Sequence, residues 1–195
     1  MTNVNMHSNN DNVCESKIGE QLSNIQKVRQ LIKILNTGNL ENVENLIHDE
    51  YFNHESHIDA SSMQSLPENI SQQIEKRNKL MGPSEFIDTV KSLRNAFTDL
   101  TYDEKEIHSD NNTVIGRYTV SGKHTGQFFI FPPTGHNFRY EAVHIYRFQD
   151  GKIREHKAVR DDLSFMYQLG FIVPTSQYES LFRLWKGVSK RRDDV

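Results

Sequence analysis

The apolar residues change period partway along the chain, and that change limits the fold more than any other feature. Before Asp99 they recur every three or four positions. Ile18, Leu22, Ile25, Val28, Leu31 or Ile32, and Leu35 mark one stripe on a helix of about five turns, with Gly38 as its stop. Leu40, Val43, Leu46 and Ile47 predict a second short helix over Leu40–Ile47, and Tyr51-Phe52-Asn53-His54 reads as extended. Gly82-Pro83-Ser84-Glu85 is a helix start, followed by Phe86, Val90, Leu93 and Phe97 on one face. After Asp99 the apolar residues alternate. Thr113–Ser121, Gln127–Phe131, Asn137–Phe148 and Lys152–Asp161 read as strands, joined by turns such as Gln149-Asp150-Gly151-Lys152. Helices first and an antiparallel meander after them make the class α+β, with the helices packed on one sheet face.

The 195 residues suit one domain with appendages. Only 35% of them are hydrophobic while 25% are charged, which requires solvated segments beside a core. Three segments account for this polarity. Residues 1–17 read as a disordered arm. Residues 57–81 read as a polar insertion with a partial helix near Ile70–Leu80. Residues 173–195 form an extension in which Tyr178, Leu181, Leu184, Trp185 and Val188 suggest an amphipathic helix. Residues 18–172 are then the domain, closed by a helical turn at Leu163–Leu169 before Gly170.

Several function classes are disfavoured. The 23 basic and 26 acidic residues give a net charge of −3, far from the basic excess of a protein that rides on phosphate backbones, so no nucleic-acid partner is expected. Lys190-Arg191-Arg192 is followed by Asp193 and Asp194 and reads as a solvated terminus. No apolar run is long enough to cross a membrane, and MTNVNMHSNNDNV lacks the apolar region of a secretory leader, so a cytoplasmic protein without a membrane partner is expected. Cys14 is the single cysteine, which excludes an intrachain disulfide and a cysteine-based zinc site. His54-Glu55-Ser56-His57 near Asp59 offers two imidazoles and carboxylates, but the segment reads as extended, so no metal is expected.

Beyond these physical limits the chain carries a recognisable ordered set of motifs. Gly122-Lys123-His124-Thr125-Gly126, Phe131-Pro132-Pro133-Thr134-Gly135, Arg147-Phe148-Gln149-Asp150-Gly151-Lys152-Ile153, and Glu155-His156 with Asp161 and Gln168-Leu169-Gly170 resemble the SnoaL-like polyketide cyclases, also called ester cyclases. Upstream, Phe97-Thr98-Asp99-Leu100 and Tyr51-Phe52-Asn53-His54 fit the same pattern, and the likeness runs over about residues 20–172. The resemblance implies a nuclear-transport-factor-2-like fold: a strongly curved antiparallel sheet wrapped on N-terminal helices into a cone around an apolar pocket. Lys157 stands where the family usually carries Trp, and the tail after residue 172 has no counterpart in it.

The resemblance also places Asp161 where characterised cyclases use an acid/base carboxylate. Aldol closure needs a base for the proton beside a carbonyl and an acid for the resulting alkoxide, and a carboxylate raised by an apolar pocket can serve as both. The competing reading is that Asp161 caps the helix that follows it. His54 matches the family's pocket histidine. His144 shares a strand face with Tyr140, Ala142, Tyr146 and Phe148, a polar group in an apolar wall. Strand parity groups Ile153, Glu155, Lys157, Val159 and Asp161, and turns His156 the other way as a surface residue unless a bulge intervenes. The expected catalytic residues are Asp161, His54 and His144. His124, Tyr118, Tyr146, Phe129 and Phe52 are expected to bind substrate, although His124 between two glycines also suits a turn. The expected function is cofactor-independent acid/base chemistry on an apolar, carbonyl-containing small molecule, by a homodimer. A non-catalytic binding or dimerisation module of the same fold is the alternative, and an Asp161 consumed as a helix cap would favour it.

Overall fold

Alternation in the second half of the chain builds four long strands, and the helices of the first half lie across them. The structure, a computed structural model, describes residues 7–56, 67–129 and 131–172. In chain order the elements are α1 (His7–Thr37), α2 (Val43–Leu46), β1 (Ile47–Asn53), α3 (Glu68–Asn78), α4 (Pro83–Ala96), β2 (Phe97–Asp110), β3 (Thr113–His124), β4 (Asn137–Gln149), β5 (Lys152–Arg160) and α5 (Asp162–Gln168). The five strands form one sheet in the order β1-β5-β4-β3-β2. All neighbours are antiparallel except β1 and β5, which run parallel and pair Asn53 with His156.

Turn chemistry sets the register. Asp150 and Gly151 both have positive φ, 50° and 71°, as a two-residue hairpin that follows the sheet twist demands. Register shifts interrupt β2 against β3 between Thr98 and Thr101 and again between Glu104 and Glu106. Such irregularities bend a strand and increase its twist, which curves the sheet around the helices. Among the described residues the expected strand Gln127–Phe131 is reduced to one bridge, Phe128 with Phe131, because Pro132 and Pro133 have no N–H to extend a ladder.

The helices bury their stripes against the concave face. Val28, Leu31 and Leu35 of α1 and Phe86 and Val90 of α4 meet Val114, Tyr118, Tyr146 and Ile153 of the sheet in one core. Asn36 fixes α1 on β2: its Nδ2 donates to the Tyr102 carbonyl at 3.1 Å and its Oδ1 accepts the Tyr102 N–H at 2.7 Å. Arg94 of α4 donates to the carbonyls of Leu35 and Asn36 at the C-terminal end of α1.

Several sequence expectations are corrected. Of the arm expected over residues 1–17, residues 1–6 lie outside the described residues, and α1 begins at His7. The apolar stripe is buried only from Val28 onward among its strongest members; Ile18 and Leu22 are exposed. The helix expected over Leu40–Ile47 is a single turn, because Ile47 already has extended dihedrals and pairs with Ile153. In the polar insertion, α3 lies close to the expected partial helix; residues 57–66 and the extension 173–195 lie outside the described residues. Among the described residues no helix is long and apolar enough to cross a membrane.

Candidate functional site

Sheet curvature and the overlying helices leave a cavity of about 950 Å³ between them. Its walls are largely aromatic and aliphatic, with Leu35, Phe86, Phe97, Leu100 and Phe138 among them. Ile70, Ile74, Arg77 and Leu80 on and beside α3 and the Phe128–Phe129 segment close one side, where the Arg77 guanidinium sits 5.2 Å from the Phe129 ring centre. That size and lining are typical of a small-molecule site.

Polar groups enter this wall from β1, β4 and β5. His144, His156, Asn53 and Ser56 all line the cavity and all are buried. His144 Nδ1 lies 2.8 Å from His156 Nε2, and His156 Nδ1 lies 2.8 Å from Asn53 Oδ1. His144 Nε2 is buried with no hydrogen-bond partner among the described residues. Burial, with Arg160 adding to it, pushes the His144 pKa from 6.5 down to about 3; burial first, then His144, Arg160 and His54, lowers His156 well below its ordinary value. Both rings are therefore neutral at neutral pH.

The same cluster continues away from the cavity into a buried carboxylate. Glu85, in the first turn of α4, accepts the Asn53 N–H at 3.2 and 3.3 Å and the Ser56 hydroxyl at 2.5 Å. Gly82 makes this approach possible. It holds φ 65° and ψ −151°, a backbone region reserved for glycine, and donates its N–H to the Tyr51 carbonyl at 3.0 Å. A Cβ there would run into the Asp49 carbonyl.

The residues singled out in the sequence divide between the cavity and other roles. His144, Tyr146 and Phe129 line it. Asp161 does not line it: it is the N-cap of α5, and its Oδ1 accepts the Ser164 N–H at 3.0 Å. His54 lies outside the lining as well, 2.7 Å from Glu155 Oε1, with the Phe52 ring edge-on to it at 4.7 Å. Burial alone would raise the Glu155 carboxylate, but His54, Lys157 and Arg147 outweigh it and hold its pKa low. Tyr118 is buried behind the site, its ring 5.5 Å from that of His144. His124 is buried between the rings of Phe97 and Phe171, and its Nδ1 accepts the Thr134 N–H at 3.3 Å. The glycine motif around His124 has a packing cause: Thr125 and Gly126 both donate to the Ala96 carbonyl, and a Cβ on Gly126 would overlap the Asn95 carbonyl. His57 and Asp59 lie outside the described residues, and no cluster of three potential metal ligands occurs among those described.

His156 is the main correction. A register shift between Arg147 and Phe148 pairs Phe148 with Ile153 but Arg147 with Glu155. Arg154 is thus the extra residue, and Ile153 and His156 both face inward while Glu155, Lys157 and Val159 face out. Lys157 bonds Glu155 at 3.4 Å on that outer side and does not line the cavity. Asn53, Ser56, Glu85, Tyr102, Tyr140 and Arg160 were not singled out by the sequence. The Tyr102 and Tyr140 hydroxyls are raised by burial, Tyr102 to about 12. Arg160 reaches Glu55 at 3.4 Å and Asp162 at 3.1 Å at the cavity edge.

Comparison with known proteins gives a consistent result. Residues 55–169 match the family model described as SnoaL-like polyketide cyclase. The aklanonic acid methyl ester cyclase DnrD of Streptomyces peucetius is 31% identical over 154 residues, covering 78% of this chain and 94% of its own. The aklanonic acid methyl ester cyclase DauD of Streptomyces sp. (strain C5) is 30% identical over 154 residues, covering 78% and 85%. The structure of TsrD from Streptomyces laurentii matches with a TM-score of 0.61 at 18% identity, across 78% of this chain and 98% of that one, a likeness of fold.

Proposed function

We propose that this chain, which belongs to the SnoaL-like polyketide cyclase family, closes a ring in a carbonyl-bearing polyketide-type small molecule inside its cavity, with His144 as the group that takes and returns the proton. One observation carries the reading: a buried imidazole nitrogen, Nε2 of His144, without a partner among the described residues, on a residue that lines an apolar cavity of ligand size. In an aldol closure the base removes a proton beside one carbonyl, and the electron pair of the broken C–H bond forms the enolate. The enolate carbon attacks a second carbonyl of the same molecule, and the alkoxide recovers the proton from the imidazolium. Substrate and product are isomers, so the chemistry consumes no redox equivalent and calls for no cofactor. Tyr102 and Tyr140, as protonated phenols in the wall, are suited to orient oxygens of the substrate.

Asp161 as a cap is the arrangement that would mark a non-catalytic binder if it were the sole base. The His144 nitrogen supplies a base from another strand, and the enzyme reading rests on it rather than on Asp161 or His54. We also read the protein as a cytoplasmic homodimer joined by its outer sheet face. Register places Ile115 beside Ile145 and Val143 beside Val159 there, and Ile115 and Val159 are exposed. Light scattering tests the dimer.

The test of the activity is incubation of the purified full chain with aklanonic acid methyl ester, the compound in the relatives' names. A ring-closed isomer of unchanged mass is expected, formed about 10²-fold more slowly by His144→Gln. No isomer from that ester or from a panel of polyketide diketo esters overturns the reading.

A further inference from the structure

One backbone N–H determines the proton positions along the whole buried chain. Asn53 Oδ1 accepts the N–H of Glu55 at 3.1 Å, and a backbone N–H can only donate, so this atom is the amide oxygen. His156 Nδ1, 2.8 Å from the same oxygen, must then carry a proton and donate it. In a neutral imidazole the other nitrogen is bare. His156 Nε2 is therefore an acceptor, and the facing His144 Nδ1, at 2.8 Å, must carry the proton between them. His144 Nε2 is left with a lone pair, and it is the buried nitrogen without a partner among the described residues.

We propose that Asn53 and His156 are positioning residues that lock His144 in the Nδ1–H tautomer, so that Nε2 is the ring nitrogen left with the lone pair to act as the base. The catalytic consequence rests on the ring-closing reading above, whereas the tautomer does not. The anchor of the lock is rigid. Glu85 holds the Asn53 N–H and the Ser56 hydroxyl, and the Ser56 N–H donates to the Asn53 carbonyl at 3.2 Å. The rings of His144 and His156 lie 15° from parallel. His54 just after β1, Tyr102 of β2, Tyr118 of β3, Tyr146 of β4 and Arg160 of β5 are the other titratable and charged groups that face or act on the pair.

The lock also gives the abstracted proton's charge somewhere to go. When Nε2 gains a proton from carbon, His144 becomes an imidazolium. Its Nδ1 proton can cross to His156 Nε2, which leaves His144 neutral and the charge on His156, whose Nδ1–H still faces the Asn53 oxygen. Reversal returns the proton to Nδ1, and Nε2–H then protonates the alkoxide. No atom or electron is gained or lost, and the charge is spread over two rings inside a wall that would penalise it on one.

Long-range ¹⁵N–¹H correlation NMR of the histidine-labelled full chain, without substrate, tests this directly. The expected spectrum at neutral pH has protonated Nδ1 and bare Nε2 in both His144 and His156. A protonated Nε2 on His144 overturns the lock, whatever the activity proves to be. A locked tautomer without ring closure would instead remove the function and leave the lock. Asn53→Leu takes away the acceptor: His156 should populate both tautomers, and kcat should fall about 10²-fold with KM little changed. Asn53→Asp keeps the acceptor and should keep the tautomer while raising the apparent pKa of the pair in the pH–kcat profile. An unchanged tautomer in Asn53→Leu overturns the proposal, and the wild-type spectrum decides it if that variant does not fold.

Discussion

Tyr118 folds its ring back over Gly116, its neighbour on the same face of β3. A Cβ at Gly116 would lie 2.6 and 2.7 Å from Cε2 and Cζ of that ring, well inside van der Waals contact. The same ring stands edge-on to His144, and Gly116 is paired with His144 across the sheet. The absent side chain thus makes room for the wall behind the proposed base. Gly116→Ala should cost about 1–3 kcal/mol by overpacking. In Gly116→Ala/Tyr118→Leu part of that loss should return, and urea unfolding of the two singles and the double gives the coupling. Strict additivity would show that the ring and the glycine do not interact.

Acid should unfold the protein earlier than its surface charges would. His144 and His156 are held neutral in the folded state, with His144 near 3 rather than 6.5. The unfolded chain takes up protons near 6.5, so below that pH it binds more protons than the folded one. The contribution is complete above about pH 6.5 and is lost as the pH falls towards 3, amounting to at most about 5 kcal/mol for His144. Tm measured from pH 7.5 to pH 4 should fall steeply, and His144→Gln should flatten the slope. Equal slopes in the two proteins would remove this account.

Asp161 allows its structural and chemical roles to be separated. Asn is as good an N-cap as Asp, so Asp161→Asn should leave the Tm within a degree or two, whereas Asp161→Ala should lose about 1 kcal/mol. With the proton handled at His144, Asp161→Asn should also keep most of the turnover. A complete loss of turnover in a folded Asp161→Asn protein would move the base to Asp161.

Glu85 is a stability element with a catalytic shadow. Glu85→Ala leaves the Asn53 N–H without its acceptor and the Ser56 hydroxyl with only the Asn53 carbonyl, at a cost of about 2–4 kcal/mol. Glu85→Gln keeps one acceptor oxygen and should cost less, about 1–2 kcal/mol. Urea midpoints measured at constant m-value report both. If Glu85→Ala is neutral, the 53–56 turn does not depend on this carboxylate.

Much of the frame was legible from the residues, because period and turn chemistry are local. The Asp150-Gly151 hairpin, the Gly82-Pro83 helix start and the stripe from Val28 to Leu35 need only neighbours in sequence to be understood. The polar cluster does not have that property. The inward turn of His156 depends on the bulge at Arg154, which nothing in the alternation of β5 announces. Glu85 sits beside Phe86 on a buried helix face, and only its partners 29 and 32 residues away make burial tolerable. Asp161 illustrates the opposite case. The local signal for a cap was present in the sequence beside the family signal for a base, and the structure shows the cap geometry. His144 was found because it interrupts an otherwise apolar strand face, which is again a local pattern.

The parallel pairing of β1 with β5 has a consequence for when the site comes into being. Asn53 and His156 are 103 residues apart in sequence, and their contact joins the first strand to the last. Closing so long a loop is entropically expensive and slow compared with forming the hairpins between β2 and β5. A chain that has assembled only its meander would already carry His144 beside His156, but with nothing to choose between their tautomers. Activity should therefore lag behind sheet formation during refolding, since the proton pattern becomes single-valued only when the two ends of the sheet have met.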